Sequence, residues 1–201
     1  MPRKKENSRG YHERKVNTRE VKQRFLIVCE GAKTEPNYFR SFRVPKNVAE
    51  IHVQGKGENP SKLVESAKEL SKQDDYDQVW CVFDRNSWTI EDFNNAIKKA
   101  NDQGFKVAYS NEAFELWYVL HFEFLNTGIP RRDYNNKLTS LLGRRYQKNS
   151  ETIYDDLLEK QSIAIRHAEN LLQQYASHIP AKDNPSTTVH LLVQELNKFI
   201  P

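Results

Sequence analysis

The chain has 201 residues, 37% of them hydrophobic and 29% charged, with a net charge of +4 and two cysteines. That length supports one substantial core. The apolar residues are gathered in blocks, which excludes a disordered polymer despite a mean hydropathy of −0.83. No apolar run approaches the roughly 20 residues that span a bilayer and no signal-like segment opens the chain, so a cytoplasmic protein without membrane attachment is expected.

Nine Lys/Arg fall within residues 1–25 (Arg3, Lys4, Lys5, Arg9, Arg14, Lys15, Arg19, Lys22 and Arg24), against Glu6, Glu13 and Glu20. The balance of +6 leaves the remainder of the chain at −2. Residues 1–21 therefore read as a flexible basic tail suited to the phosphates of nucleic acid. A solvated terminus without a partner is the plain alternative.

From Arg24 to Gly31 the chain runs through five consecutive apolar residues, then stops at Glu30 and a glycine. A run this short and uninterrupted predicts a strand buried on both faces, as in a parallel sheet covered by helices. Thr34 is placed to cap a helix over 35–43, with Glu35 and Pro36 in its first turn. Residues 51–54 predict a second strand. Asn59-Pro60 predicts a helix start, with Leu63, Val64, Ala67 and Leu70 as the buried stripe. The strand over 78–84 repeats the first arrangement, apolar until it delivers Asp84-Arg85-Asn86. Ile90, Phe93, Ile97 and Ala100 give a helix ending near Gly104, and 105–109 a fourth strand. The segment 110–122, apolar nearly all round, predicts a deeply buried helix.

The remainder predicts helices over 131–142, 153–158, 161–177 and 185–199, and no strand. Asn184-Pro185-Ser186 reads as a second use of the helix start seen at Asn59-Pro60. The alternation over 24–124 implies a mainly parallel α/β sheet flanked by helices. The organisation expected is a tail over 1–21, an α/β domain over 22–125 and a helical region over 126–201.

Glu30 and Asp84 are the strongest candidate site residues. Each ends a predicted buried strand, where a carboxylate is poorly solvated and a second one nearby raises the cost of both. A divalent cation relieves both penalties, and magnesium takes one or two carboxylates and fills its shell with water and phosphate oxygens. The competing reading makes each acid a cap for the helix that follows. Glu115, set in an apolar helix, is either a third ligand or the partner of a buried cation. Lys33 and Arg85 follow the strand-end acids and are placed either to hold a phosphate or to pair with those acids. Cys29 and Cys81 fall in buried strands and read as reduced and inert. No Cys/His spacing suits zinc, and Gly55-Lys56-Gly57 is neither a Walker A loop nor a dinucleotide fingerprint.

Four blocks in order carry a family resemblance: Cys-Glu-Gly-Ala-Lys-Thr-Glu-Pro-Asn-Tyr-Phe at 29–39, Val-Trp-Cys-Val-Phe-Asp-Arg at 79–85, Ser110-Asn111 with Phe114-Glu115-Leu116-Trp117, and Asn-Pro-Ser-Thr-Thr-Val at 184–189. Together they resemble the RloB-like family. The resemblance implies a Toprim-like (Rossmann-like) core, in which a glutamate after the first strand and an Asp-x-Asp after a later one bind magnesium, with manganese as the other candidate ion. It maps Glu30 and Asp84 to the first two positions and puts Asn86 where the pattern has a second aspartate. An asparagine carbonyl can ligate magnesium but removes a charge, which Glu115 could supply. The resemblance further implies a nuclease of anti-phage defence loci acting on nucleic acid, RNA (tRNA) before DNA, with an ATPase partner. Catalysis would fall to Glu30, Asp84 and Lys33. Homo-oligomers are left open. The reading from a different class is a non-catalytic sensor that binds nucleic acid or a nucleotide and signals to the ATPase.

Overall fold

The computed structural model describes residues 22–86 and 88–200. The expected tail, with Arg3, Lys4, Lys5, Arg9, Arg14 and Lys15, lies outside the described residues.

Successive side chains of β1 (Gln23–Cys29) enter two different cores. Phe25, Ile27 and Cys29 join one and Leu26 and Val28 the other, each at most 1% exposed. The run is apolar throughout because neither face meets water and no polar position is needed. The same holds for β3 (Gln78–Asp84), with Trp80 and Val82 in the first core and Cys81 and Phe83 in the second. Both cysteines are free and buried, and burial pushes their thiols up, that of Cys81 to about 12.

With β2 (Ala49–Gly55), β4 (Lys106–Asn111) and β5 (Ser186–Thr187), the sheet order is β2-β1-β3-β4-β5. The first four strands are parallel, and β5 runs antiparallel to β4. α1 (Thr34–Arg40) links β1 to β2 across the first core. α2 (Pro60–Ser71) and α3 (Ile90–Asp102) carry the chain back across the second, to β3 and then β4. The helices change face where the strand order reverses, as right-handed crossovers require. α4 (Glu115–Val119), α5 (Tyr134–Leu142), α6 (Ile153–Leu157), α7 (Gln161–Gln173) and α8 (Val189–Asn197) join α1 on the first core. The result is a mainly parallel α/β sheet flanked by helices, with a helical C-terminal region, as the sequence predicts.

One helix start holds through its stated chemistry: the Asn59 side chain accepts the Lys62 N–H at 2.9 Å and Pro60 opens α2. The structure adds a cap for α3, Thr89, which accepts the Asp92 N–H at 3.0 Å. Three local expectations differ. Thr34 is the first residue of α1 rather than its cap, and its hydroxyl donates to Asn149 Oδ1 at 2.8 Å. Ser110 and Asn111 extend β4, so the buried helix shrinks to α4 with Glu115 as its first residue. Residues 186–187 form a strand and the helix expected from 185 begins at Val189. There the exposed edge of β4 decides: Thr187 donates its hydroxyl to Tyr109 O at 2.9 Å and lies within 3.0 Å of the Ser110 hydroxyl. Edge pairing satisfies backbone groups of β4 and β5 together.

Because Ile27 is enclosed, Ile27→Ala should lower stability by about 2–5 kcal/mol, the usual range for a cavity of that size. Urea denaturation measures it, and a loss under about 1 kcal/mol would mean the first core is not closed over β1.

Candidate functional site

In a sheet ordered this way, β1 leads its connection to one side and β3 leads its own to the other. The loops part at their carboxyl ends and open the crevice where such sheets place ligands. Glu30 and Asp84 stand at that point. The Glu30 N–H donates to Val82 O at 2.8 Å, which continues the ladder past β1. The Glu30 carboxylate then spans the gap, Oε2 accepting the Asp84 N–H and Oε1 the Trp88 Nε1–H, both at 3.0 Å. Neither acid caps a helix: Thr89 caps α3, and Glu30 is spent on β3.

Beside this junction is a pocket of about 250 Å³, lined by the loop from Gly31 to Glu35 and by Asp84, Phe114, Glu115, Arg131, Lys148 and Asn149. Glu35, Asp84 and Glu115 are 5%, 4% and 3% exposed. Asp84 Oδ2 faces Arg131 Nη2 at 3.5 Å, and Glu115 Oε1 faces Lys148 Nζ at 3.4 Å. Asp84 Oδ1 and Glu35 Oε2 are buried without any hydrogen-bond partner. Two glycines make the loop fit. A Cβ on Gly31 would lie 2.0 Å from Glu35 Oε2, and one on Gly55 would lie 2.8 Å from the carbonyls of Gly31 and Ala32. Only hydrogens at these positions let the loop rest on the end of β2 with Glu35 turned inward.

Burial dominates the electrostatics. It pushes the Asp84 carboxyl well above its ordinary range, and Glu35 and Glu115 push the same way against the nearby Arg131. Glu35 rises to about 7, by burial first and then by its proximity to Glu115 and Glu30. Glu30 is also raised by burial, less so because Asp84 N–H and Trp88 donate to it. An all-oxygen, anionic donor set with unpartnered buried oxygens matches what a hard divalent cation requires. Among the described residues no group of three or more His, Cys, Asp or Glu side chains converges closely enough to hold an ion alone. Magnesium, which keeps several waters, needs only one or two of these carboxylates.

Of the expected site residues, Glu30 and Asp84 come together, and Lys33 and Glu115 line the pocket with Asp84. Asn86 and Arg85 are not in that lining. Asn86 takes the turn after β3 at φ 40° and donates its N–H to Glu112 O at 3.0 Å. Arg85 turns away, donating to Ala181 O and Asn86 O, each at 3.3 Å. Sequence reasoning misses Glu35, Arg131 and Lys148 as site residues. Glu35 carries a visible signal, an acid within a matched block, but first-turn helix chemistry explains it equally well. The two cations carry none, being brought in from distant segments by the fold.

An acidic crevice at the strand switch point of a mainly parallel α/β sheet defines the class of protein. Its family is equally plain: the model of the RloB-like protein family matches residues 25–196, and the chain belongs to that family. No curated protein and no solved structure matches it.

The raised carboxyls set a pH dependence. Glu35 binds its proton more tightly folded than unfolded, so the folded state holds the extra proton between the unfolded value of 4.5 and about 7. Stability should be greatest below that window and fall as pH rises through it. Asp84 and Glu30 shift in the same direction. Urea midpoints across the window, without divalent ions, should decline for the wild type and decline less for Glu35→Gln. A rising midpoint would contradict the burial of these acids.

Proposed function

We propose that this chain is a magnesium-dependent nuclease, a Toprim-like phosphodiesterase that cleaves nucleic acid, RNA before DNA, in anti-phage defence alongside an ATPase. The observation that supports it is the pair of buried, unpartnered carboxylate oxygens, Asp84 Oδ1 and Glu35 Oε2, at the exit of β3 beside basic side chains. Such oxygens are costly in the charged form unless a cation completes them.

Asp84 would hold the ion, with Glu35 and Glu115 as the neighbouring carboxylates in the pocket and Glu30 and Asn86 acting through water. When bound, magnesium or manganese supplies charge that stabilises phosphoryl oxygens and makes its water a better nucleophile. Each Glu30 oxygen accepts one hydrogen bond and keeps a second lone pair, so Glu30 is the group to take a proton from the attacking water. Its raised pKa brings it nearer the range of a useful base. Lys33, at the pocket mouth, positions the phosphate. The basic tail holds the backbone further along the strand.

One observation favours a second reading. Asn86 stands where a further carboxylate would strengthen the site, and its positive φ suits an asparagine turn without any catalytic role. A sensor that binds nucleic acid without cutting it and reports to the ATPase accommodates this.

Incubating the protein with tRNA, single-stranded RNA and duplex DNA, with magnesium, with manganese and with EDTA, separates the two. Cleavage should need the ion and be abolished in Asp84→Asn. Asn86→Asp should fold normally, since aspartate also tolerates the turn, and should bind magnesium more tightly by calorimetry. If no substrate is cut with or without the ATPase, and Asn86→Asp binds magnesium no better, the nuclease reading is wrong and the sensor stands.

The tail makes a separate prediction. Deleting residues 1–20 should weaken nucleic-acid binding and flatten its salt dependence, by about 0.9 in slope for each duplex-DNA phosphate that the tail neutralises. An unchanged slope would make the tail a bystander.

A further inference from the structure

Two ion pairs in the pocket join partly exposed bases to carboxylates that are almost fully buried. Long pairs also occur at the surface, as between Arg132 and Asp133 at 3.6 Å, but there water solvates both charges. Arg131 and Asp84 stand at 3.5 Å and Lys148 and Glu115 at 3.4 Å, too far for charge-assisted hydrogen bonds, though both carboxylates are buried. Each member of the first pair also keeps an idle atom: Asp84 Oδ1 and Arg131 Nη1 are both buried and unpartnered. An orphan acceptor and an orphan donor on one loose pair leave two open demands, one for a cation and one for an anion.

Both bases are partly exposed. Their side chains are 34% and 45% exposed, and they enter from the two flanks of α5. Arg131 opens the 3-10 turn before that helix, and Lys148 lies in the loop beyond Gly143, where the helix ends in a left-handed turn. The loop itself is anchored: Asn149 receives the Thr34 hydroxyl at 2.8 Å and the Asn37 side-chain amide at 3.0 Å. An anchored loop carrying a partly exposed side chain suits a group that changes partners.

We propose that Arg131 and Lys148 form a phosphate clamp that rests on Asp84 and Glu115 until a divalent cation takes over those carboxylates, and then closes on a phosphodiester oxygen of nucleic acid. This rests on the metal-dependent reading above and adds an order to it. In the ion-free pocket two of the three bases (Lys33, Arg131, Lys148) rest on carboxylates, Arg131 on Asp84 and Lys148 on Glu115, and offer an anion little. A dication held by Asp84 and Glu115 takes those partners away, and both bases are left to an anion. Metal and phosphate therefore bind cooperatively, and by linkage each tightens the other equally.

The test uses the full-length protein, magnesium alone and inorganic phosphate, followed by calorimetry. Wild type should bind phosphate at least about fivefold tighter with magnesium than with EDTA, the lower end of ordinary coupling between sites. Arg131→Gln and Lys148→Gln should bind magnesium more tightly than wild type, because a competing cation is gone, and should lose the magnesium-dependent gain in phosphate affinity. Arg131→Lys, which keeps the charge, should recover part of that gain, and thermal melting confirms that each variant is folded. Wild type that takes up no magnesium overturns the metal-centre reading, and the clamp falls with it. Wild type that takes up magnesium, with both Gln variants matching it for magnesium and phosphate, overturns the clamp alone and makes the pairs water-bridged contacts only.

Discussion

Like charge held out of water is the constraint around which this molecule is arranged. Glu35, Asp84 and Glu115 share one small pocket, and Glu30 stands against its wall. A buried carboxylate costs several kcal/mol when unpaired, and neighbours of the same sign add to it. The protein meets this partly by holding protons and partly with two loose cations. Neither remedy is complete, since two carboxylate oxygens stay without partners. A core built only for stability would have no reason to keep such a cluster.

The rest of the architecture keeps the acids together. Two apolar cores clamp β1 and β3 side by side, so their exits cannot drift apart. The reversal of strand order sends the following loops in opposite directions and leaves the crevice between them. Glu30 ties the exits further by accepting the N–H of Asp84 itself. Gly31 and Gly55 allow the first loop to lie close enough for Glu35 to enter. The C-terminal helices pack on the same core and return Arg131 and Lys148 to the pocket from either flank of α5.

Asn86 shows how one residue can answer two demands. The turn after β3 needs a left-handed backbone, which asparagine and aspartate adopt more readily than most residues. Conformation alone therefore does not distinguish them, and the difference between the two is one negative charge. With Glu35 and Glu115 already beside Asp84, a further anion close by would deepen the repulsion. The neutral side chain is consistent with a pocket whose charge is supplied from α1 and α4 instead.

The amino-acid sequence by itself determined the sheet and its covering. Uninterrupted apolar runs at β1 and β3, short and ended by an acid, fit strands buried on both faces, and the helix start at Asn59-Pro60 follows from chemistry within a few residues. It also determined that Glu30 and Asp84 stand at strand exits, because an acid ending a buried run has nowhere else to go. The tertiary structure alone decided which other groups meet them. Glu35 reads as first-turn helix chemistry until Gly31 and Gly55 turn it inward, while Arg131 and Lys148 lie about fifty and sixty residues beyond Asp84 with no local pattern to connect them. Ser186 and Thr187 carry a helix-start signal that the free edge of β4 overrules. Strands and caps are set by neighbours along the chain, so periodicity reveals them. The pocket is set by neighbours across it, through packing that no local spacing encodes.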